Sequence, residues 1–313
     1  MELRPVPIRN AGHTDRAAIA GRGILCSGNV GSGGDVGVQQ PSAAEAIPAT
    51  GQIVDVAWLQ TWQGQPGLRI VDSRPLPHYQ MGHVPGAVSL DVNLIRMPDS
   101  TITGLAAFVD AARAELRRAG VRPDERVVFY EDFSGAAAAR GVWMLDALGH
   151  RGGAMLDGGL HAWVNAGEPL TREPAQVTPS DLDVGLDRSV VALADEIREG
   201  LTEPDRLTVV DTRNDLEFRA GTIPGAVHID WLRHLRPDGS FRSDAELRAL
   251  YDAVGIGSAS REPVVTFCGS GYRAAHTYVV LKALGVPEVK NYAPSWGEWG
   301  RRSDLPVENP ASR

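Results

Sequence analysis

The sequence predicts an α/β fold of two tandem domains, each a parallel sheet flanked by helices. Two observations predict it: a long internal repeat, and a regular alternation of short apolar strands with amphipathic helices. At 313 residues the chain is long enough for two domains of ordinary size, each with its own buried core.

The internal repeat sets the domain organisation. Residues 69–74 (Arg-Ile-Val-Asp-Ser-Arg) return as residues 207–213 (Leu-Thr-Val-Val-Asp-Thr-Arg), and the turn at 82–88 returns at 221–227 as Gly-Thr-Ile-Pro-Gly-Ala-Val. The aspartate of the first segment and the second glycine of the turn each recur after 139 residues. Two similar domains in tandem follow from this constant spacing.

Each repeat follows the order strand, loop, strand, helix. The first strands centre on 70–71 and 209–210, and the second on 127–130 and 264–267; all are short runs rich in β-branched or aromatic residues, as in strands buried on both faces. The helices are predicted at 103–119, 136–148, 243–254 and 274–284.

Composition shifts divide the chain. The start is rich in glycine, serine and proline without periodicity, which predicts a mobile extension, and three prolines punctuate a polar stretch between the repeats. The predicted segments are an extension at 1–50, a first domain at 53–170, a linker at 171–187, a second domain at 188–308 and a tail at 309–313.

Charge and cysteine content exclude several classes of protein. With 31 basic and 39 acidic residues the net charge is −8, which argues against a nucleic-acid-binding or membrane-surface protein. The two cysteines, Cys26 and Cys268, are too few for a disulfide scaffold or a zinc site built of thiolates alone. No spanning run of about eighteen apolar residues and no good signal peptide are found, so a cytoplasmic location is expected.

The segment most informative about chemistry is the loop Cys268–Arg273, which follows the second strand of the second repeat. A thiol between a strand end and a helix N-terminus meets backbone N–H groups and a favourable helix dipole, both of which favour a nucleophilic thiolate. Gly269 and Gly271 are expected to adopt positive φ, and Arg273 to bind an anion. A buried filler cysteine is the plainer alternative, but a Gly-Ser-Gly turn beside it does not serve packing.

These motifs resemble the rhodanese superfamily, specifically its tandem-domain sulfurtransferases. The loop matches the family's Cys-x-x-Gly-x-Arg active-site loop, and both Asp-x-Arg strand ends and both Pro-Gly-Ala-Val turns match its first signature. Residues 291–299 look like its closing Tyr-x-Gly-Ser-Trp-x-Glu-Trp box, with Pro294 in place of the glycine. The resemblance covers about residues 53–308 and implies two tandem rhodanese-like domains.

The resemblance implies a double displacement. The Cys268 thiolate takes the outer sulfur of thiosulfate or 3-mercaptopyruvate as a persulfide, and cyanide or a cellular thiol then removes it. Gly269, Ser270, Gly271, Tyr272 and Arg273 would bind the donor, and no metal or organic cofactor is implied. Loops of 3-mercaptopyruvate enzymes usually read Cys-Gly-Ser/Thr-Gly-Val-Thr; here Tyr-Arg ends the loop, and the added cation favours the dianion thiosulfate.

The first repeat lacks the nucleophile. Aligning Tyr130 with Phe267 puts Glu131 in the place of Cys268 and Ala136 in the place of Arg273. This half is predicted to be a noncatalytic domain that packs against the active one. Since it already supplies an intramolecular partner, a monomer is expected.

Other residues have weaker claims to a role in the site. Asp211 and Arg213 are expected to form a buried ion pair at the strand end. Glu217 stands where the family often has a substrate arginine, and it is a candidate partner for the Arg273 side chain.

The remaining candidates are expected to be structural or bystanders. His276 could transfer a proton but more simply satisfies local hydrogen bonds. Trp296 and Trp299 are expected to pack in the core or between the domains, and Cys26 is expected to be a bystander thiol.

Two further functions stay open. A phosphatase of the related superfamily branch would have five residues between cysteine and arginine, whereas four separate Cys268 from Arg273. A non-enzymatic module that binds sulfur compounds or anions would suit the first half better than a chain that keeps its Cys268 loop.

Overall fold

The computed structural model describes residues 47–48, 51–203 and 206–312, so nearly all of the predicted extension at 1–50, with Cys26, lies outside the described residues. Within that described part the chain forms two parallel sheets, one in each repeat, with helices on their faces. The α/β prediction is therefore confirmed. None of the described helices is both long and apolar enough to cross a bilayer.

The first sheet has the strand order β1-β5-β4-β2-β3, and every neighbouring pair is parallel. The inner residues of its central strands, Ile70 and Val71 in β2 and 127–130 in β4, are buried, which explains why these positions are apolar. The strands are β1 (Ile53–Val54), β2 (Leu68–Asp72), β3 (Val88–Ser89), β4 (Arg126–Tyr130) and β5 (Gly153–Leu156).

The second sheet has the strand order β9-β8-β6-β7, again parallel throughout. This order matches β5-β4-β2-β3 of the first sheet, so the second sheet lacks only a counterpart of the edge strand β1. At that edge a single parallel bridge joins Val191 to Asn291. The strands are β6 (Thr208–Asp211), β7 (Val227–His228), β8 (Val264–Phe267) and β9 (Val289–Asn291).

The four predicted helices occur within two residues of their expected bounds, as α3, α4, α8 and α9. Shorter helices and 3-10 turns, which the sequence analysis did not predict, complete the described chain. The helices are α1 (Val56–Trp62), α2 (Leu76–Met81), α3 (Ile102–Arg118), α4 (Ala136–Ala147), α5 (Gly159–Asn165), α6 (Ala194–Gly200), α7 (Asp215–Ala220), α8 (Asp244–Asp252), α9 (Tyr272–Ala283) and α10 (Ser295–Trp299).

The two domains are joined by α4 and α9, the helices that follow the second strand of each repeat. These helices pack against each other, and one buried apolar cluster continues through both domains. The Tyr278 hydroxyl on α9 donates to the Asp146 carboxylate on α4 at 2.7 Å.

The segment predicted as a linker, 171–187, lies along the first domain. Thr171 exchanges two backbone hydrogen bonds of 2.9 Å with His83. Leu182 is fully buried in the core, and its carbonyl accepts from the Arg117 side chain of α3 at 2.6 Å. In the second domain an equivalent bridge joins Thr222 to Glu308, so both domains close in the same way.

Candidate active site

Cys268 stands directly after β8 and four residues before the first turn of α9 begins at Tyr272. Its side chain is 1% exposed. The structure thus places the thiol at the carboxyl edge of the second sheet, beside a helix N-terminus, which is where open α/β sheets bind ligands.

The Gly271 amide donates to the Cys268 Sγ at 3.1 Å. Gly271 has a φ of 84°, and a Cβ added there would lie 2.5 Å from the carbonyl oxygen of Ala293. The prediction of positive φ is confirmed for Gly271. It is wrong for Gly269, whose backbone lies outside the left-handed region, although a Cβ at Gly269 would come within 3.1 Å of the Arg273 guanidinium.

Ser295 anchors the loop from the other side. Its hydroxyl accepts the Cys268 backbone N–H at 3.0 Å and donates to the Tyr292 carbonyl at 2.7 Å. To reach this position Ser295 adopts a φ of 56°, which is rare for a residue with a side chain. The Trp296 amide adds a 2.9 Å hydrogen bond to the Cys268 carbonyl. Sequence reasoning noted this box but assigned Ser295 no role.

Arg273 and Glu217 form a two-pronged ion pair at the loop. The N–O distances are 2.6 and 2.9 Å, and both side chains are partly exposed. The pKa of Arg273 is raised above its usual value, chiefly by the hydrogen bonds to Glu217, and Arg273 in turn lowers the pKa of Glu217. The expected pairing of Glu217 with Arg273 is confirmed. It neutralises much of the positive charge of Arg273, which the sequence analysis assigned to donor binding.

The remaining loop residues differ in exposure. Ser270 is exposed and Gly269 is partly buried. The Tyr272 hydroxyl turns toward the first domain and donates to the Val92 carbonyl at 3.2 Å. The structure therefore brings the five predicted binding residues to one loop, but it points Tyr272 at the domain interface.

The predicted ion pair at the strand end is present. Arg213 donates to both carboxylate oxygens of Asp211 at 2.6–3.2 Å and to the Gly221 carbonyl at 2.6 Å, with both side chains buried. Trp296 lies over the Arg213 guanidinium, 4.5 Å from it, and Trp299 is fully buried. Trp299 belongs to the core of the second domain, whereas Trp296 is partly exposed and packs against that core.

In the first domain a carboxylate occupies the corresponding loop, between β4 and α4. Glu131 is partly buried, and its Oε1 accepts the amides of Ala137 and Ala138 at 2.7 and 3.3 Å, at the start of α4. Burial raises the pKa of Glu131 above its usual value. This loop is one residue longer than its counterpart, so Ala137, rather than the expected Ala136, corresponds to Arg273 by position in the helix.

A chain of buried hydrogen bonds crosses the domain interface through His276. Its Nε2 lies 2.9 Å from the Ser134 carbonyl and must donate, so its Nδ1 accepts from the Nδ1–H of His234 at 3.1 Å. The His234 Nε2 then accepts from the Tyr251 hydroxyl at 2.7 Å. Burial lowers the pKa of His276 to about 4 and that of His234 well below its usual value. Both rings are neutral, and His276 has a structural role here.

Among residues 47–48, 51–203 and 206–312, no cluster of three or more histidine, cysteine or acidic side chains is placed to hold a metal ion. The loop offers a thiol, an amide donor and a guanidinium at one point. Such a set suits nucleophilic attack on an anionic or polarised sulfur compound.

Comparisons with known proteins agree with this arrangement. The family model described as the rhodanese-like domain matches twice, at residues 55–166 and 193–302. A thiosulfate sulfurtransferase of Pseudomonas aeruginosa is 34% identical over 253 residues, covering 78% of this chain and 92% of that protein. One of Corynebacterium glutamicum is 35% identical over 283 residues, covering 82% and 90%.

Among solved structures, that of SseA from Escherichia coli, presented as a 3-mercaptopyruvate sulfotransferase, superposes with a TM-score of 0.70 at 25% identity. The match covers 80% of this chain and all of SseA. The two domain matches coincide with the two repeats, and the relatives align over both of them. The chain therefore belongs to the rhodanese-like domain family and carries two copies of its domain in tandem.

Proposed function

We propose that the protein is a sulfurtransferase that moves the outer sulfur of thiosulfate to cyanide or a thiol through a persulfide on Cys268. The observation that carries the proposal is the placement of the Cys268 Sγ: it sits at a strand end, accepts the Gly271 amide and lies within the field of Arg273. The relatives named thiosulfate sulfurtransferase support the same activity.

The chemistry has two displacements. In the first, the Cys268 thiolate attacks the outer sulfur of thiosulfate; a new S–S bond forms as the old one breaks, and sulfite leaves with the electron pair. In the second, cyanide attacks the terminal sulfur, and the Cys268 thiolate leaves as thiocyanate is released. The Gly271 N–H stabilises the negative sulfur at both stages, because it already points at Sγ.

The donor preference is the finer part of the proposal. Arg273 favours a dianion, but its carboxylate partner Glu217 reduces that advantage. 3-Mercaptopyruvate is the second candidate donor, supported by the likeness to SseA. The proposed binding residues for either donor are those of the loop itself: Gly269, Ser270, Gly271, Tyr272 and Arg273.

The first domain is proposed to be noncatalytic. It has Glu131 in the position of the nucleophile, and the amides of that loop are already occupied by its carboxylate. The proposal also includes a monomer and a cytoplasmic location, as the sequence predicts. Light scattering of the purified protein tests the former, and fractionation of its native cells tests the latter.

The deciding experiment is thiocyanate formation from cyanide, with thiosulfate and 3-mercaptopyruvate compared side by side. We expect a higher kcat/KM with thiosulfate, and loss of turnover with both donors in Cys268→Ser. The matched control is Cys26→Ser, which is expected to keep wild-type rates. Turnover retained in Cys268→Ser would overturn the nucleophile assignment, and a higher kcat/KM with 3-mercaptopyruvate would overturn the donor preference.

A further inference from the structure

Arg140, in the second turn of α4, is a buried cation that the proposed chemistry has not used. Its side chain is 1% exposed although it belongs to the domain without a nucleophile. Its Nε and Nη1 atoms have no hydrogen-bond partner among the described residues, and no ion pair involving it occurs there. A buried, unpaired guanidinium is costly, so its retention needs a reason.

Three aromatic rings surround the guanidinium. Its central carbon lies 4.2 Å from the ring centroid of Trp143, 5.2 Å from that of Tyr272 and 5.5 Å from that of Phe108. Ring faces stabilise a cation but provide few acceptors for its N–H groups. Burial lowers the pKa of Arg140 to about 10, so the group remains charged at neutral pH.

One of these rings belongs to the candidate active loop. Tyr272 opens α9 and follows Cys268 by four residues. Arg140 reaches this loop from across the domain interface through its contact with the Tyr272 ring, and a thiolate at Cys268 would oppose the lowering of the Arg140 pKa. The first domain therefore brings a positive charge to the nucleophile of the second.

The charge balance of the loop makes this cation matter. Arg273, the cation within the loop, has both of its terminal nitrogens bound to the Glu217 carboxylate. Arg140 has no carboxylate within reach among residues 51–203 and 206–312 that would neutralise it in this way. Its field in a buried, aromatic-lined interface is weakly screened.

We propose that Arg140 is a positioning residue contributed by the noncatalytic domain, whose unneutralised charge favours the anionic sulfur of Cys268, first as thiolate and then as persulfide. This inference rests on the proposed function, in which Cys268 is the nucleophile. It assigns the first domain an electrostatic role in the reaction beyond packing.

The test is the pH profile of Cys268 alkylation by iodoacetamide, read by mass spectrometry of the Cys268 peptide. Iodoacetamide is uncharged, so the rate reports the thiolate and not attraction of the reagent. In Arg140→Met we expect the midpoint to rise by about one pH unit, which lowers the rate about tenfold at pH values well below the wild-type midpoint. Arg140→Lys should restore the wild-type profile only at pH values where the buried amine is still protonated, because the same burial lowers the pKa of lysine.

The control is Arg118→Met, which removes one positive charge from an exposed position of α3 and should leave the midpoint unchanged. A wild-type midpoint in Arg140→Met would overturn the proposal.

A second measurement needs no folded variant at Arg140. In protein labelled with ¹⁵N-arginine, the Arg140 Nε–H resonance should shift over the pH range in which Cys268 alkylation titrates, and this shift should vanish in Cys268→Ser. An Arg140 Nε–H chemical shift that does not change over that pH range would overturn the proposal. Neither measurement uses a sulfur donor, so a failure here is distinct from a failure of the proposed activity, which the turnover of Cys268→Ser decides.

Discussion

The Ser295 hydroxyl accepts the backbone N–H of Cys268 at 3.0 Å, which ties the closing segment of the chain to its candidate nucleophile. Both residues are buried, and the same hydroxyl donates to the Tyr292 carbonyl. The loop therefore does not set the position of Cys268 alone. A side chain 27 residues further along the chain holds its backbone.

Replacing Ser295 should destabilise the protein. In Ser295→Ala the buried Cys268 N–H loses its acceptor, at a cost of about 1–3 kcal/mol in the free energy of unfolding. Ser295→Gly loses the same bond but relieves the strain of a φ of 56°, so it should cost less than alanine. Urea unfolding measures both, and Ser258→Ala, at an exposed position, is the control. An alanine variant as stable as the glycine variant would contradict the strain argument.

A comparison of Gly271→Ala with Gly285→Ala distinguishes the cost of a positive φ from the cost of a steric clash. Both have positive φ, 84° and 81°, but only at Gly271 would a Cβ meet backbone atoms, at 2.5 Å from the Ala293 carbonyl oxygen. Gly285→Ala should cost about 1–2 kcal/mol of stability from φ alone. Gly271→Ala should cost more and should also lower sulfur transfer, because it displaces the amide that donates to Cys268. Equal losses of stability in the two variants would contradict this.

Glu217→Gln should improve the use of thiosulfate. The substitution removes a negative charge and leaves Arg273 unneutralised at the loop. We expect the KM for thiosulfate to fall about fivefold, equivalent to roughly 1 kcal/mol. Glu246→Gln, on the exposed face of α8, is the control. A KM that is unchanged or higher would show that Arg273 does not select the donor.

The buried histidine pair should make the protein sensitive to acid. Folding lowers the pKa of His276 to about 4, below the value of about 6.5 for an unfolded histidine. The unfolded state therefore binds more protons below pH 6.5, and stability falls as the pH drops from there toward 4. The loss by pH 5 is about 2 kcal/mol for His276, and His234 adds to it.

Urea unfolding at pH 7 and pH 5 measures this loss. His276→Gln should reduce the difference between the two pH values by about 2 kcal/mol. His161→Gln, at an exposed position of α5, is the control and should leave the difference as in the wild type. The same acid sensitivity in His276→Gln and in the wild type would contradict the assignment of two neutral rings.

Local patterns account for what the sequence predicted. Strands such as 127–130 and 264–267 are apolar because they are buried on both faces, and the loop from Cys268 to Arg273 keeps its chemistry within six residues. The ion pair of Asp211 and Arg213 could be predicted for the same reason, since the two residues lie two positions apart in the sequence.

Contacts between distant segments account for what it missed. Ser295 reaches Cys268 only because β9 pairs with β8 and brings the following turn back over the loop. Arg140 reads in the sequence as an ordinary residue of an alanine-rich helix, and the meeting of α4 with α9 buries it. Periodicity within one element carries no information about which element of another domain will cover it.

The way residues 171–187 lie on the first domain decides where that domain can be cut. A fragment that stops at residue 170 would lose Leu182 from its core and the carbonyl acceptor of Arg117 on α3. The segment 171–187 ends at Asp187, whose amide donates to the Ala147 carbonyl at the end of α4. Excision of the first domain for separate expression therefore has to carry the chain through Asp187.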